Sequence, residues 1–195
     1  MGSAPILDLS RHGRSSWGKR RVLATALLLG CCALAQATPA FVVLVRHAEK
    51  QTVPASDDPE LSAAGKERAE RLAEALQDAD IGTIITTQFK RTQATAAPLA
   101  SQRGLTPKVI AAGAGDAHIA ETAAAVREQS RGVLVVGHSN SVTAIAKALG
   151  GPALPNLCDS SFSHVLVLQL DPPPTRMLRL RYGAADPQVT GTDCF

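Results

Sequence analysis

The sequence predicts an α/β domain of three layers, a mainly parallel sheet flanked by helices. Two observations carry that reading. Apolar runs of strand length alternate with segments of helical periodicity from residue 41 to residue 182, the order that builds parallel sheets with crossover helices. Two of the runs, Phe41-Val42-Val43-Leu44-Val45 and Val133-Leu134-Val135-Val136-Gly137, are continuous enough to be buried strands, and each stops at polar residues, Arg46-His47 and His138-Ser139-Asn140. In open α/β sheets ligands bind in the crevice beyond the carboxyl ends of the strands, so a histidine where an apolar run ends is placed for chemistry.

The elements follow in order. After the strand at Phe41–Val45, residues Gln51–Pro59 form a polar, proline-containing loop. Leu61-Ser62-Ala63-Ala64-Gly65 then opens a helix with Ser62 as its N-cap. Ala69, Leu72, Ala73 and Leu76 give that helix a buried stripe, and Lys66, Glu67, Glu70, Arg71 and Glu74 a solvated face. Ile81–Thr86 reads as a strand, Arg91–Ser101 as a helix, Gly104–Pro107 as a turn and Lys108–Ile110 as a short strand. Gly113–Gly115 is a loop, and Asp116–Gln129 a helix with Asp116 at the N-cap. The strand at Val133–Gly137 leads into a helix over Ser141–Leu149, stopped by Gly150-Gly151-Pro152. Strands at Ser163–Leu170 and Arg176–Tyr182, joined by Asp171-Pro172-Pro173-Pro174, close the domain as an antiparallel hairpin.

Residues 1–37 read differently. Arg11, Arg14, Lys19, Arg20 and Arg21 precede the apolar stretch Val22–Ala35, and Ala35-Gln36-Ala37 has the small-x-small spacing of a cleavage site, the pattern of a secretory signal peptide cut after Ala37. The apolar stretch is short for a membrane span. Leu28-Leu29-Gly30-Cys31 resembles a lipobox and Arg20-Arg21 a weak twin-arginine signal, so membrane attachment is expected only with a retained leader or a lipidated Cys31. The domain is then residues 38–195, periplasmic or secreted. Without the leader 15 basic and 16 acidic residues remain; the basic balance belongs to the leader, and no basic stripe or aromatic platform suggests nucleic acid. In an oxidising compartment Cys158 and Cys194 are expected to pair rather than stand as two free thiols, pinning Asp186–Phe195 to the body. Neither has a C-x-x-C partner, and His118 and His164, read as a helix-surface residue and a residue within or beside a strand, form no ligand pair, so no metal or cofactor is expected.

The stretch Thr86-Thr87-Gln88-Phe89-Lys90-Arg91-Thr92-Gln93-Ala94-Thr95-Ala96 places Arg91 at a strand-to-helix junction on the same sheet edge as Arg46, His47 and His138. Arg11-His12-Gly13 is discounted, because no strand precedes it. Arg46-His47-Ala48, the Arg91-x-x-x-Thr95-Ala96 segment, the late Gly137-His138 and Leu61-Ser62-x-x-Gly65 together resemble the histidine phosphatase superfamily, the phosphoglycerate mutase-like fold, and Arg46-His47-Ala48-Glu49-Lys50 is similar to a small secreted branch of it. The resemblance implies a phosphatase in which His47 becomes a covalent phosphohistidine while Arg46, Arg91 and a protonated His138 hold the phosphoryl oxygens. Two guanidinium forks suit a phosphate dianion because each offers paired N–H donors and keeps its charge, and backbone N–H groups of the helix starting near Ser139 would add to them.

One family feature is open. The general acid that protonates the leaving group is an Asp directly after the late histidine in some relatives, where this chain has Ser139. Asp116 and Glu49 are candidates, against an N-cap role for the first and a salt bridge with Lys50 or Arg46 for the second; without an acid, only good leaving groups such as acyl phosphates need little help. Phosphorylated small molecules, an envelope sugar phosphate or a phosphoprotein are the substrates this pattern suggests. Two other readings stand beside it. Gly137-His138-Ser139-Asn140-Ser141 approaches the nucleophile elbow of α/β-hydrolases, with Asp159 and His164 in triad order, and the same anion clamp could bind a phosphoryl ligand without turnover.

Overall fold

The computed structural model of the chain describes residues 1–2, 39–113, 115–187 and 194–195. The chain divides into units Met1–Leu34 and Ala35–Phe195, and every element below lies in the second. Among the described residues no helix is long and apolar enough to cross a membrane. Residues 3–38, which hold Cys31 and most of the expected leader, lie outside the described residues.

Ten elements succeed one another: β1 (Phe41–Arg46), α1 (Ala63–Ala75), β2 (Ile81–Thr86), α2 (Lys90–Arg103), β3 (Lys108–Val109), α3 (Asp116–Arg127), β4 (Gly132–Gly137), α4 (Ser141–Ala148), β5 (His164–Gln169) and β6 (Arg176–Arg181). The strands form one sheet in the order β3-β2-β4-β1-β5-β6. β1 to β4 pair in parallel, β5 runs antiparallel to β1, and β6 antiparallel to β5. The expected mainly parallel sheet with a closing hairpin is thus present.

The alternation of each strand divides the core. Val42 and Leu44 of β1, with Val133 and Val135 of β4, pack against Ala123 and Val126 of α3 and Val142 and Ile145 of α4. Val43 and Val45, with Leu134 and Val136, pack against Leu72 and Ala73 of α1 and Ala96 and Leu99 of α2. Each fully buried Val, Leu or Ile contributes about 1.5–3 kcal/mol relative to exposure, so β1, apolar on both faces, fits only in the middle of the sheet.

Local details hold or shift. Ser62 caps α1, accepting the Gly65 N–H at 3.1 Å. Asp116 does not cap α3. Gly115, at φ 84°, is the N-cap, and Asp116 is the first helical residue, because the backbone entering the helix turns through a conformation glycine alone adopts without strain. Cys158 and Cys194 are joined by a disulfide, and the chain end is further fixed by hydrogen bonds from Cys158 N to Phe195 O (2.9 Å) and from Phe195 N to Asn156 O (3.1 Å).

Gly65 explains the Leu-Ser-x-x-Gly pattern. A Cβ there would stand 2.0 Å from the Glu49 carbonyl oxygen, the atom that also accepts the Ser62 N–H at 2.9 Å. Helix α1 can approach the segment after β1 only with glycine at this position. Gly65→Ala should therefore destabilise the domain by about 2 kcal/mol or more, read as a lower urea midpoint; an unchanged midpoint would show that the approach is not needed.

Candidate active site

The site begins where β1 and β4 end side by side. Their register sets Arg46 against Gly137, and the His47 N–H donates to the Gly137 carbonyl at 2.9 Å. The two residues that follow, His47 and His138, thereby come together with ring centroids 5.4 Å apart. Gly137 leaves room for the turn into α4, since a Cβ there would stand 2.8 Å from Ser141 Oγ, and that hydroxyl accepts the His138 N–H at 2.9 Å.

His47 is buried, and its Nδ1 lies 2.8 Å from the Ala48 carbonyl oxygen. A carbonyl only accepts, so Nδ1 carries the proton and Nε2 keeps its lone pair. Burial pushes the imidazole down to about 3; the Ala48 bond opposes this, and the charges of Arg46, His138 and Arg91 add to it. His138 is lowered to about 4, by burial first and then by Arg91, His118 and Arg46. Both rings are therefore neutral at neutral pH in the unliganded protein. The protonated His138 expected beside a phosphoryl group would then need the bound anion, whose charge opposes that of the guanidinium groups and raises the imidazole.

Helix α2 braces both histidines. The Thr95 hydroxyl accepts the Ala48 N–H at 2.9 Å and donates to the Arg91 carbonyl at 2.7 Å. Thr92 Oγ1 donates to the Phe89 carbonyl at 2.8 Å and lies 2.9 Å from Thr87 Oγ1, which is itself 3.2 Å from His138 Nε2. Thr87 and Thr92 carried no sequence signal of their own, and Thr95 only its place in the motif.

The arginines are gripped on opposite flanks. Arg46, 6 % exposed, donates from Nη1 to the carbonyls of Cys158 (2.8 Å), Asp159 (2.9 Å) and Ser161 (3.2 Å), and its guanidinium lies 4.3 Å from the Phe162 ring centre. Arg91 lies 4.2 Å from the Phe89 ring centre and 3.8 Å from Asp58. Each ring also faces a histidine, Phe162 at 6.2 Å from His47 and Phe89 at 5.4 Å from His138. Burial lowers both arginines from their usual range. The structure thus brings Arg46, His47, Arg91 and His138 within Coulombic reach of one another, a cationic surround for an unprotonated ring nitrogen.

A cavity of about 380 Å³ opens on the Arg91 and His138 side of the group, with Phe89, Arg91, Asp116, His118, His138 and Asn140 in its wall; Arg46 and His47 do not line it. His118 corrects the sequence reading. It is buried on the inner face of α3 with Thr122 and Val126, because the i, i+4 stripe that packs this helix on the sheet includes it. His164 is a buried β5 residue, edge-on to Phe195 at 4.8 Å and lowered to about 4 by burial and then Arg181. Glu49 pairs with neither Lys50 nor Arg46. Arg68 holds it with Nε at 3.0 Å from both carboxylate oxygens and Nη2 at 2.8 Å from Oε1, and of the two acid candidates only Asp116 lines the cavity. The expected helix N-terminus at Ser139 shifts too. Helix α4 starts at Ser141, and the Ser141 and Val142 N–H groups are already given to the His138 carbonyl. The nucleophile-elbow reading finds no triad, for Asp159 turns to Arg46 at 3.8 Å and His164 to Phe195.

Comparison with known proteins agrees with this geometry. Residues 42–113, which hold Arg46, His47 and Arg91, match the model of the histidine phosphatase superfamily (branch 1). No curated protein matches in sequence. Among solved structures, the protein histidine phosphatase SixA complexed with tungstate is similar at 19 % identity and a TM-score of 0.58, over 72 % of this chain and 96 % of that one. Native mycobacterial glucosyl-3-phosphoglycerate phosphatase is similar at 19 % identity and a TM-score of 0.53, over 71 % and 96 %, and a mycobacterial hydrolase at 20 % identity and 0.51, over 77 % and 93 %. With the sheet order, the two strand-end histidines and the matched segment in place, the chain has the fold of these phosphatases, and its residues 42–113 are similar to the histidine phosphatase superfamily.

Proposed function

We propose that this protein is a phosphatase working through a phosphohistidine on His47. The observation that carries the reading is the fixed tautomer of a buried, neutral imidazole, Nδ1 tied to Ala48 O and Nε2 free, 5.4 Å from His138 and within reach of two guanidinium groups. Nε2 donates its lone pair to phosphorus as the bond to the leaving oxygen breaks. Water then attacks the phosphohistidine, the P–N bond breaks, phosphate leaves and Nε2 regains its lone pair. Charge on the three equatorial oxygens is met by Arg46, Arg91 and His138, groups already in place before the substrate arrives.

Asp116 is the acid this reading favours for protonating a leaving alcohol, since it stands in the cavity wall with Arg91 and His138 while Glu49 is locked to Arg68. Phosphoric monoesters, in the manner of a secreted histidine acid phosphatase, are the substrate class we assign, and an envelope sugar phosphate or a phosphoprotein its natural form; the similar structures named above are a glucosyl-3-phosphoglycerate phosphatase and a protein histidine phosphatase. The basic start, the apolar stretch before Ala37 and the Cys158–Cys194 bridge support export to the periplasm or beyond, with 1–37 as the leader.

With ³²P-labelled aryl phosphate, rapid quench into alkali should trap label on the wild-type chain and none on His47→Ala, whose turnover is lost, while Ser139→Ala keeps both; label on His47→Ala would contradict the assignment. Protonation of His47 removes the lone pair, so once the substrate's own titration at about pH 6 is divided out, the acid limb of kcat/KM should appear only as pH falls toward about 3. A remaining limb between pH 6 and 7 would mean an ordinary, solvated histidine. Asp116→Asn should slow an alkyl phosphate about 10²-fold or more and leave an acyl phosphate nearly unchanged; equal losses on both would remove Asp116 as the acid.

A further inference from the structure

Arg46 is held by a turn that phosphoryl transfer does not itself require. All three acceptors of its Nη1, the carbonyls of Cys158, Asp159 and Ser161, belong to one turn closed by Ser161 N to Cys158 O at 2.9 Å. The next residue, Phe162, stacks on the same guanidinium. Beyond Arg46, the anchors of this turn are few. The Cys158 N–H is bonded to Phe195, Cys158 Sγ is bonded to Cys194, and the Asp186 carboxylate accepts the N–H groups of Phe162 (2.8 Å) and Ser163 (3.0 Å). Cys194 and Phe195 meet the body through that disulfide, the short bridge to Asn156 and the packing of the Phe195 ring against His164 and Arg179.

The clasp decides which edge of the arginine faces an anion. With Nη1 given to three carbonyls, the side-on edge made of Nε and Nη2 remains, and Nε is a buried donor without a partner among the described residues. A guanidinium side chain loses rotamer freedom when fixed, and here the turn rather than the ligand fixes it. Should the turn loosen, the exposed Asp159 carboxylate, already 3.8 Å from Nη2, would compete for the same charge.

We propose that the turn Cys158–Phe162, held by the Cys158–Cys194 disulfide, is the positioning element of Arg46, so that phosphoryl binding depends on the bridge being closed. The proposal rests on Arg46 contacting the phosphoryl group. Opening the bridge consumes two electrons and two protons from a dithiol, which becomes a disulfide as Cys158 and Cys194 become thiols. The reduced chain would keep its sheet and its histidines but present a poorly aimed arginine.

A double-mutant cycle separates this from general stabilisation. Tungstate affinity is measured by calorimetry on oxidised wild type, Cys194→Ser, Arg46→Ala and the double variant, with far-UV circular dichroism on each. Cys194→Ser should weaken tungstate about tenfold in the wild-type background and cause no further loss in the Arg46→Ala background, because the bridge acts through that side chain. Reduction of wild type by a dithiol should reproduce the loss and reoxidation reverse it, which keeps the test independent of the variant's folding. Equal affinity with the bridge open and closed, the same loss in both backgrounds, or unfolding on reduction would overturn the proposal, the last because the bridge would then hold the domain and not the arginine. Failure of oxidised wild type to bind tungstate at all would instead overturn the phosphatase reading, and this proposal with it.

Discussion

The parallel pairing of β1 with β4 is the constraint on which the site depends. Arg46 opposite Gly137, with His47 N–H on the Gly137 carbonyl, fixes the relative height of two strand ends 91 residues apart in the chain, and the two imidazoles meet as a consequence. A slip of one residue would turn each side chain of β1 to the other face, exchanging Val42 and Leu44 for Val43 and Val45 in layers packed by different helices. Apolar packing thus enforces the register, and the register assembles the site. The helices add their own ties, α2 through Thr95 to Ala48 and through the Thr92–Thr87 pair to His138.

The electrostatics of the assembled site oppose the stability of the fold. Two neutral imidazoles and two cations share a buried region, and each guanidinium charge disfavours proton uptake by the rings. Below the ordinary histidine value of 6.5 the unfolded chain gains those protons while the folded chain refuses them until about 4 and about 3, so the stability contributed by these groups is lost as pH falls through that window. An anion offsets this by favouring protonated His138 and screening the arginines. The same field that depresses the rings attracts a phosphoryl dianion.

Much of this was legible in the sequence, for physical reasons that differ by residue. Strands that stop at Arg46-His47 and at His138 mark the sheet edge where ligands bind, because an apolar run ends there in polar residues. Arg91 was visible through its place before Thr95-Ala96. His118 was not, since a histidine in an alanine-rich helix gives no periodic signal and its burial comes from the way α3 lies on the sheet. Asp116 reads as a cap from local chemistry, yet the glycine before it takes that place. Glu49 finds its partner in Arg68, 19 residues on, and the carbonyl clasp on Arg46 joins residues more than 110 apart. Backbone acceptors carry no side-chain signature, so only the folded chain displays them.

In the proposed reaction His47, His138, Arg46 and Arg91 serve one phosphoryl group, with His47 Nε2 as the attacking atom. A crystal structure with orthovanadate would locate that group. Vanadium is expected on His47 Nε2, its equatorial oxygens taking hydrogen bonds from the two guanidinium groups and His138. Vanadium bonded to Ser139 Oγ, or held away from His47 altogether, would contradict it.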